Sequence, residues 1–130
     1  MGDPSLAVLE RFFEAVEAGD FDTVADLYAD DIVVWHSVTD DEQDKKGNLR
    51  LLRWLRGGAT FRYELLEQIA QGDVVARRHV LHVGIDGQPP LSLSAALFFT
   101  IVDGKITRIA EHVDSAGTQR LLSLMPGTSH

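Results

Sequence analysis

Asp30-Asp31-Ile32-Val33-Val34-Trp35-His36 is the stretch that decides the reading of this chain. Two acidic residues give way to a β-branched run, and the run ends on a ring that titrates near neutral pH. We read a strand from Ile32 to Val38. Alternating geometry puts Ile32, Val34 and His36 on one face, with Val33, Trp35 and Ser37 on the other. A histidine at the end of an otherwise core-like strand points to a pocket whose few polar groups carry the chemistry.

Upstream, the spacing predicts two helices. Asp3 followed by Pro4 is a start signal: an N-cap acceptor, then a residue with φ already set. Leu6, Leu9, Phe13 and Val16 recur at helical spacing with Glu10, Glu14 and Glu17 between them, and Gly19 ends the run. Asp20 caps a short second helix with Phe21, Val24, Leu27 and Tyr28 on its apolar face.

Downstream, Thr39 to Lys46 is charged and apolar-free, and reads as an exposed loop with the makings of a lid. Asn48 is the candidate cap of a third helix through Leu49, Leu52 and Leu55, stopping at Gly57-Gly58. β segments follow: Phe61 to Ala70, Val74 to Ile85 after the turn Gly72-Asp73, and Leu91 to Val102 after Asp86 to Pro90. Asp103-Gly104 is a tight hairpin turn, and Lys105 to Val113 the last strand. Ser115 to Leu124 reads as a terminal helix and Pro126 to His130 as a loose tail. Helices first and a meander after them predict a single α+β domain over residues 1–130.

Composition narrows the function. The 130 residues carry 12 basic against 20 acidic side chains, a net charge of −8, with the basic ones scattered. That argues against a nucleic-acid partner or an anionic membrane surface. The chain has no cysteine, so disulfides, thiol nucleophiles and zinc–thiolate sites are excluded. No apolar stretch approaches the roughly 20 residues of a membrane span. Met1-Gly2-Asp3-Pro4 has neither the basic start nor the apolar run of a secretory leader, and the expected location is cytoplasmic. Gly-rich phosphate loops, Gly-x-Ser-x-Gly elbows and His-Glu-x-x-His pairs are all missing from the sequence.

Four stretches resemble the nuclear transport factor 2-like superfamily, and within it the SnoaL-like polyketide cyclases and ketosteroid isomerase-like proteins. They are Phe12 to Asp20, Leu27 to His36, Gly72-Asp73-Val74-Val75-Ala76, and Asp103-Gly104-Lys105-Ile106 with Glu111-His112-Val113-Asp114. The resemblance implies a cone-shaped fold, a cystatin-like α+β roll of three N-terminal helices on a strongly curved antiparallel sheet. It also implies a homodimer and a small apolar molecule in the pocket, without a cofactor. His36 stands at the position of the isomerases' catalytic Asp. Phe12 and Ala96 stand where their oxyanion donors would be, which argues against steroid isomerisation. Arg78 and Asp114 match part of the epoxide hydrolase-like pattern, but Val80 replaces its middle Asp. Asp114 matches the cyclases' acid/base Asp.

The candidate site follows. His36 and Asp114 are the expected catalytic pair, and Asp114 reads equally as a helix cap ahead of Ser115. Arg78, His82, His112, Phe12, Trp35 and Phe98 are the expected substrate-binding residues, with Arg78 or His82 facing a developing oxyanion. No metal is expected. His79 and His82, three apart on a strand, point to opposite faces and cannot chelate together. The reading is a cofactor-free cyclase or isomerase acting by acid/base chemistry on a small carbonyl-bearing molecule. The alternatives are a non-catalytic ligand-binding dimer and an epoxide hydrolase-like enzyme.

Overall fold

A computed structural model describes residues 3–125; the tail expected over Pro126 to His130 lies outside them. The helical half forms where the capping chemistry puts it. Helix α1 (Pro4–Ala18) starts with the Asp3 carboxylate accepting from the Ser5 N–H at 2.8 Å, and it ends at Gly19 with φ 76°. Only a residue without Cβ takes that left-handed turn at no steric cost. Helix α2 (Phe21–Leu27) is capped by Asp20, which accepts from the Thr23 N–H. Leu9, Phe12, Phe13 and Val16 of α1 and Val24 and Leu27 of α2 bury their side chains.

The sheet has six strands: β1 (Tyr28–His36), β2 (Asp41–Gln43), β3 (Thr60–Gln71), β4 (Val74–Gly84), β5 (Leu91–Val102) and β6 (Lys105–Val113). Their order is β2-β1-β6-β5-β4-β3. The hairpins over residues 60–113 are antiparallel as expected, but β1 runs parallel to β6, so the sheet is mixed. Register shifts fall between Leu65 and Glu67, between Thr100 and Ile101, and between Tyr28 and Val33. Such bulges bend the strands that carry them, and here they curl the sheet around the helices.

The concave face carries the core. Val75, Leu97, Phe99, Ile101, Ile106 and Ile109 are buried there against α1 and α2. Helix α3 (Lys45–Gly58) closes one side, and α4 (Ser115–Leu124) follows the last strand as the chain pattern predicts.

Three local expectations are corrected. Tyr28 begins β1 rather than ending α2, because its ring is buried on the sheet side. The α3 cap is Asp44, which accepts from the Gly47 N–H at 2.8 Å, whereas Asn48 lies inside the helix. Residues 39–46 are not a free loop. Their centre is strand β2, paired to β1 from Val34 to His36, and Trp35 Nε1 donates to Asp40 at 2.8 Å.

Candidate functional site

The cone leaves a cavity of about 70 Å³ between α1, α3 and the concave sheet. Its apolar wall is Phe12, Phe13, Val34, Leu52, Leu97, Phe99 and Ile109. Its polar groups are His36, Glu111, Tyr28, Asn48, Tyr63 and His79. Period-2 geometry delivers each one. His36 follows Ile32 and Val34 along β1, Glu111 follows Ile109 along β6, and His79 follows Val75 and Arg77 along β4.

His36 and Glu111 are direct partners in the parallel β1–β6 ladder, and His36 Nε2 lies 3.4 Å from Glu111 Oε1. Removal from water pushes the Glu111 carboxyl up to about 7, and the same cause holds the His36 imidazole below its ordinary value. Both shifts favour the uncharged forms, so the contact is not a fixed ion pair. Each side chain keeps some accessible surface, 21% for His36 and 26% for Glu111, so both remain open to a ligand.

Two tyrosines and a second histidine complete the polar lining. Tyr28 Oη donates to the buried Asn48 Oδ1 at 2.6 Å, and Asn48 Nδ2 donates to Gln43. Burial raises both tyrosine hydroxyls above their ordinary value, and the neighbouring Glu111 charge adds to this in each. They remain protonated at any physiological pH. His79 is 1% exposed, and its Nδ1 accepts from Arg77 Nε at 2.9 Å. Burial, then the Arg77 charge, holds its pKa down to about 3. Arg77 in turn packs over the Phe13 ring at 3.8 Å and donates to Gln68.

The residues singled out from sequence divide cleanly. His36 and Phe12 line the cavity. Arg78, His82, His112, Trp35 and Phe98 lie on the convex face, because the concave set on β4 is Val75, Arg77, His79 and Val83. There Arg78 pairs with Glu67 at 2.8 Å, and His82 bridges Glu64 and Ser92. His112 packs edge-on against Trp35 and Phe98. Asp114 sits at the N-cap of α4 with its carboxylate over Gly117, outside the cavity lining. His36, His82 and His112 therefore do not converge, and among the described residues no group of three or more metal-binding side chains does.

Sequence reasoning missed Glu111, His79, Arg77, Tyr63, Tyr28 and Asn48. The signal for Glu111 was present: it is two residues after Ile109 on a strand that starts at Lys105. For β4 the signal was ambiguous, since both faces of Val74 to Val83 carry aliphatic residues.

Comparison with known proteins agrees with this architecture. Among solved structures, an LEH-like epoxide hydrolase of M. tuberculosis superposes with a TM-score of 0.76 at 24% identity, covering 91% of this chain and 88% of that one. IdmH of Streptomyces antibioticus, a candidate polyketide cyclase, gives 0.75 at 21% identity, covering 95% and 100%. A candidate SnoaL-like polyketide cyclase from Shewanella putrefaciens CN-32 gives 0.80 at 12% identity, covering 96% and 100%. Comparison with curated proteins returns no match. No described helix is long and apolar enough to cross a membrane. The SnoaL-like domain model matches residues 9–109, from within α1 to the first five residues of β6, and the chain belongs to the SnoaL-like domain family.

Proposed function

We propose that this protein is a cofactor-free acid/base enzyme acting on a small carbonyl compound, with an enolising step of the kind cyclases and isomerases share. The observation that carries the reading is the Glu111–His36 pair. It is a carboxyl whose pKa lies near neutrality, held 3.4 Å from an uncharged imidazole inside an apolar cavity. A base is most effective when its pKa sits close to the working pH. Glu111 removes a proton from carbon next to the carbonyl. His36 Nε2 stands 3.4 Å from the carboxylate and faces it, and the abstracted proton stays on Glu111 until it is returned to the substrate carbon or oxygen. The stronger base is Glu111, since burial lowers the basicity of His36.

The volume limits the substrate. About 70 Å³ accommodates the reacting end of a molecule but no fused-ring skeleton, so any larger body lies in the mouth. The structural neighbours described as a candidate polyketide cyclase and an epoxide hydrolase support a ligand-bearing cone.

The test is α-proton exchange. Acetone, 2-butanone and acetylacetone are followed by proton NMR in D₂O with the protein and with Glu111→Gln. Faster exchange that vanishes in the variant supports the reading. Equal rates sink it, and saturation-transfer NMR on the same samples then shows whether the cavity only binds ligand.

We also infer that a second copy covers the convex face. Ile69 (65% exposed), Phe98 (48%) and Val74 (42%) form an apolar stripe there, flanked by the Arg78–Glu67 and Arg108–Glu42 pairs. A sheet face of this kind is self-complementary about a two-fold axis.

A further inference from the structure

The concave sheet two strands from Glu111 holds a histidine whose protonation the mechanism above does not use. His79 is buried, and its ring is fixed from three sides. Phe13 and Tyr63 pack against it with centroids at 5.4 and 5.0 Å, and Arg77 Nε meets its Nδ1 at 2.9 Å. A guanidinium only donates, so Nδ1 accepts with its lone pair. A neutral ring bonded in this way carries its hydrogen on Nε2. Among the described residues no acceptor lies within hydrogen-bonding reach of that nitrogen, yet no buried polar atom is left unsatisfied, so Nε2 borders the cavity space. The Tyr63 hydroxyl is in the same position: it lines the cavity and meets no acceptor among the described residues.

From this geometry we propose that His79 Nε2–H, with Tyr63 Oη–H beside it, is the cavity's oxyanion-binding site, and that Arg77 is the positioning residue that fixes the donating tautomer. The ligand class is a small carbonyl compound whose oxygen becomes an enolate or alkoxide. The proposal deepens the acid/base reading and rests on it for catalytic meaning; the tautomer and the binding site stand apart from it.

The arrangement has a physical logic. A donor aimed at developing charge serves best when it is preorganised and uncharged in the resting state. A protonated His79 would place a second cation against Arg77 in a buried site. The Arg77 charge opposes that, and burial opposes it further. Arg77 thus keeps the ring neutral and turns its N–H inward at once. Tyr63 is diagonal to His79 across the β3–β4 ladder, so the two donors point from neighbouring strands toward one oxygen. Glu111 stands on β6, with β5 between it and β4. A substrate bridging the floor of the cone then meets the base at its carbon and the donors at its oxygen.

Three measurements on the whole protein test this. First, long-range ¹H–¹⁵N correlation at pH 7 reads the His79 tautomer directly. Hydrogen on Nε2 and a bare Nδ1 are expected; hydrogen on Nδ1, or an imidazolium, overturns the proposal whatever the turnover. Second, acetylacetone, whose enolate is a small oxyanion, is titrated at pH 6 into wild type, His79→Gln and His79→Leu. Wild-type binding should shift the His79 Nε2 proton downfield. His79→Leu should weaken binding tenfold or more, and His79→Gln, which keeps an N–H at that place, should recover much of it. No binding to wild type, or equal binding to all three, overturns the proposal. Third, Arg77→Met should leave His79 a mixture of both tautomers, with Arg77→Lys closer to wild type. If Arg77→Met does not fold, the first two measurements decide alone. If Glu111→Gln leaves exchange unchanged while acetylacetone binding still depends on His79, the acid/base reading falls and the oxyanion site stands. If exchange needs Glu111 but acetylacetone binding ignores His79, the reverse holds.

Discussion

His36 Nε2 lies 3.4 Å from Glu111 Oε1 because the two residues are directly paired in the one parallel ladder of the sheet, between β1 and β6. Antiparallel hairpins build the rest of residues 60–113, and none of them brings chain-distant residues together in this way. The parallel pairing joins the first strand, after α2, to the last strand. The candidate acid/base pair is thus a product of the β1–β6 pairing, and its properties follow from where it is placed.

The proton-exchange rate should rise with pH through about 7, as Glu111 loses its proton and becomes the base. His36→Ala removes the ring that stands 3.4 Å from the carboxylate, so the plateau should fall. The pH profile of kcat/KM for ketone exchange in the two proteins checks this. A wild-type profile flat from pH 5 to 9 would contradict the role of Glu111.

Stability should change with pH in a matching way. The Glu111 pKa is raised from 4.5 to about 7, so the folded protein binds more protons than the unfolded chain between those values. Its contribution is fully present below 4.5 and is lost as pH rises through 7. The size is on the order of 2 kcal/mol, allowing for the 26% of the side chain that stays accessible. His79 works from the other side. Its pKa is depressed from 6.5 to about 3, so its contribution is present above 6.5 and lost as pH falls toward 3. Urea denaturation across pH should show Glu111→Gln flattening the neutral limb and His79→Gln the acid limb.

Tyr28→Phe should cost about 1–3 kcal/mol, since it strips the buried Asn48 Oδ1 of its 2.6 Å donor. Thermal unfolding measures the loss. A smaller effect would mean that water reaches Asn48.

Asp114→Asn should leave proton exchange within a few-fold of wild type, because the carboxylate lies over the first turn of α4 and outside the cavity lining. A loss comparable to that of Glu111→Gln would return the catalytic role to Asp114.

Phe98→Glu should lower the mass measured by light scattering to that of a single chain while leaving the circular dichroism intact. The ring is 48% exposed on the convex stripe, and a carboxylate there cannot be buried against a second copy without a partner. An unchanged mass would remove the convex face as the interface.

The sequence by itself determined the α+β class, the order of the elements other than β2, and most boundaries. Those depend on local chemistry: Asp3 and Asp20 cap helices, Gly19 takes the left-handed turn, and β5, β6 and α4 run from Leu91 to Val102, Lys105 to Val113 and Ser115 to Leu124 as their alternation and turns dictate. It also put His36 on the face of Ile32 and Val34, where both aliphatic neighbours are buried. Only tertiary structure decided which face of the later strands looks inward. On β4 both Val74-Ala76-Val80 and Val75-Leu81-Val83 pass as an apolar face, and period-2 logic alone does not choose between them. The choice is made by α1, whose Phe13 covers Arg77 and His79, and by the parallel β1–β6 pairing that turns Glu111 toward His36. One residue of register separates Arg78 from Arg77 and His112 from Glu111, and that single step exchanges a convex surface for the lining of the cavity.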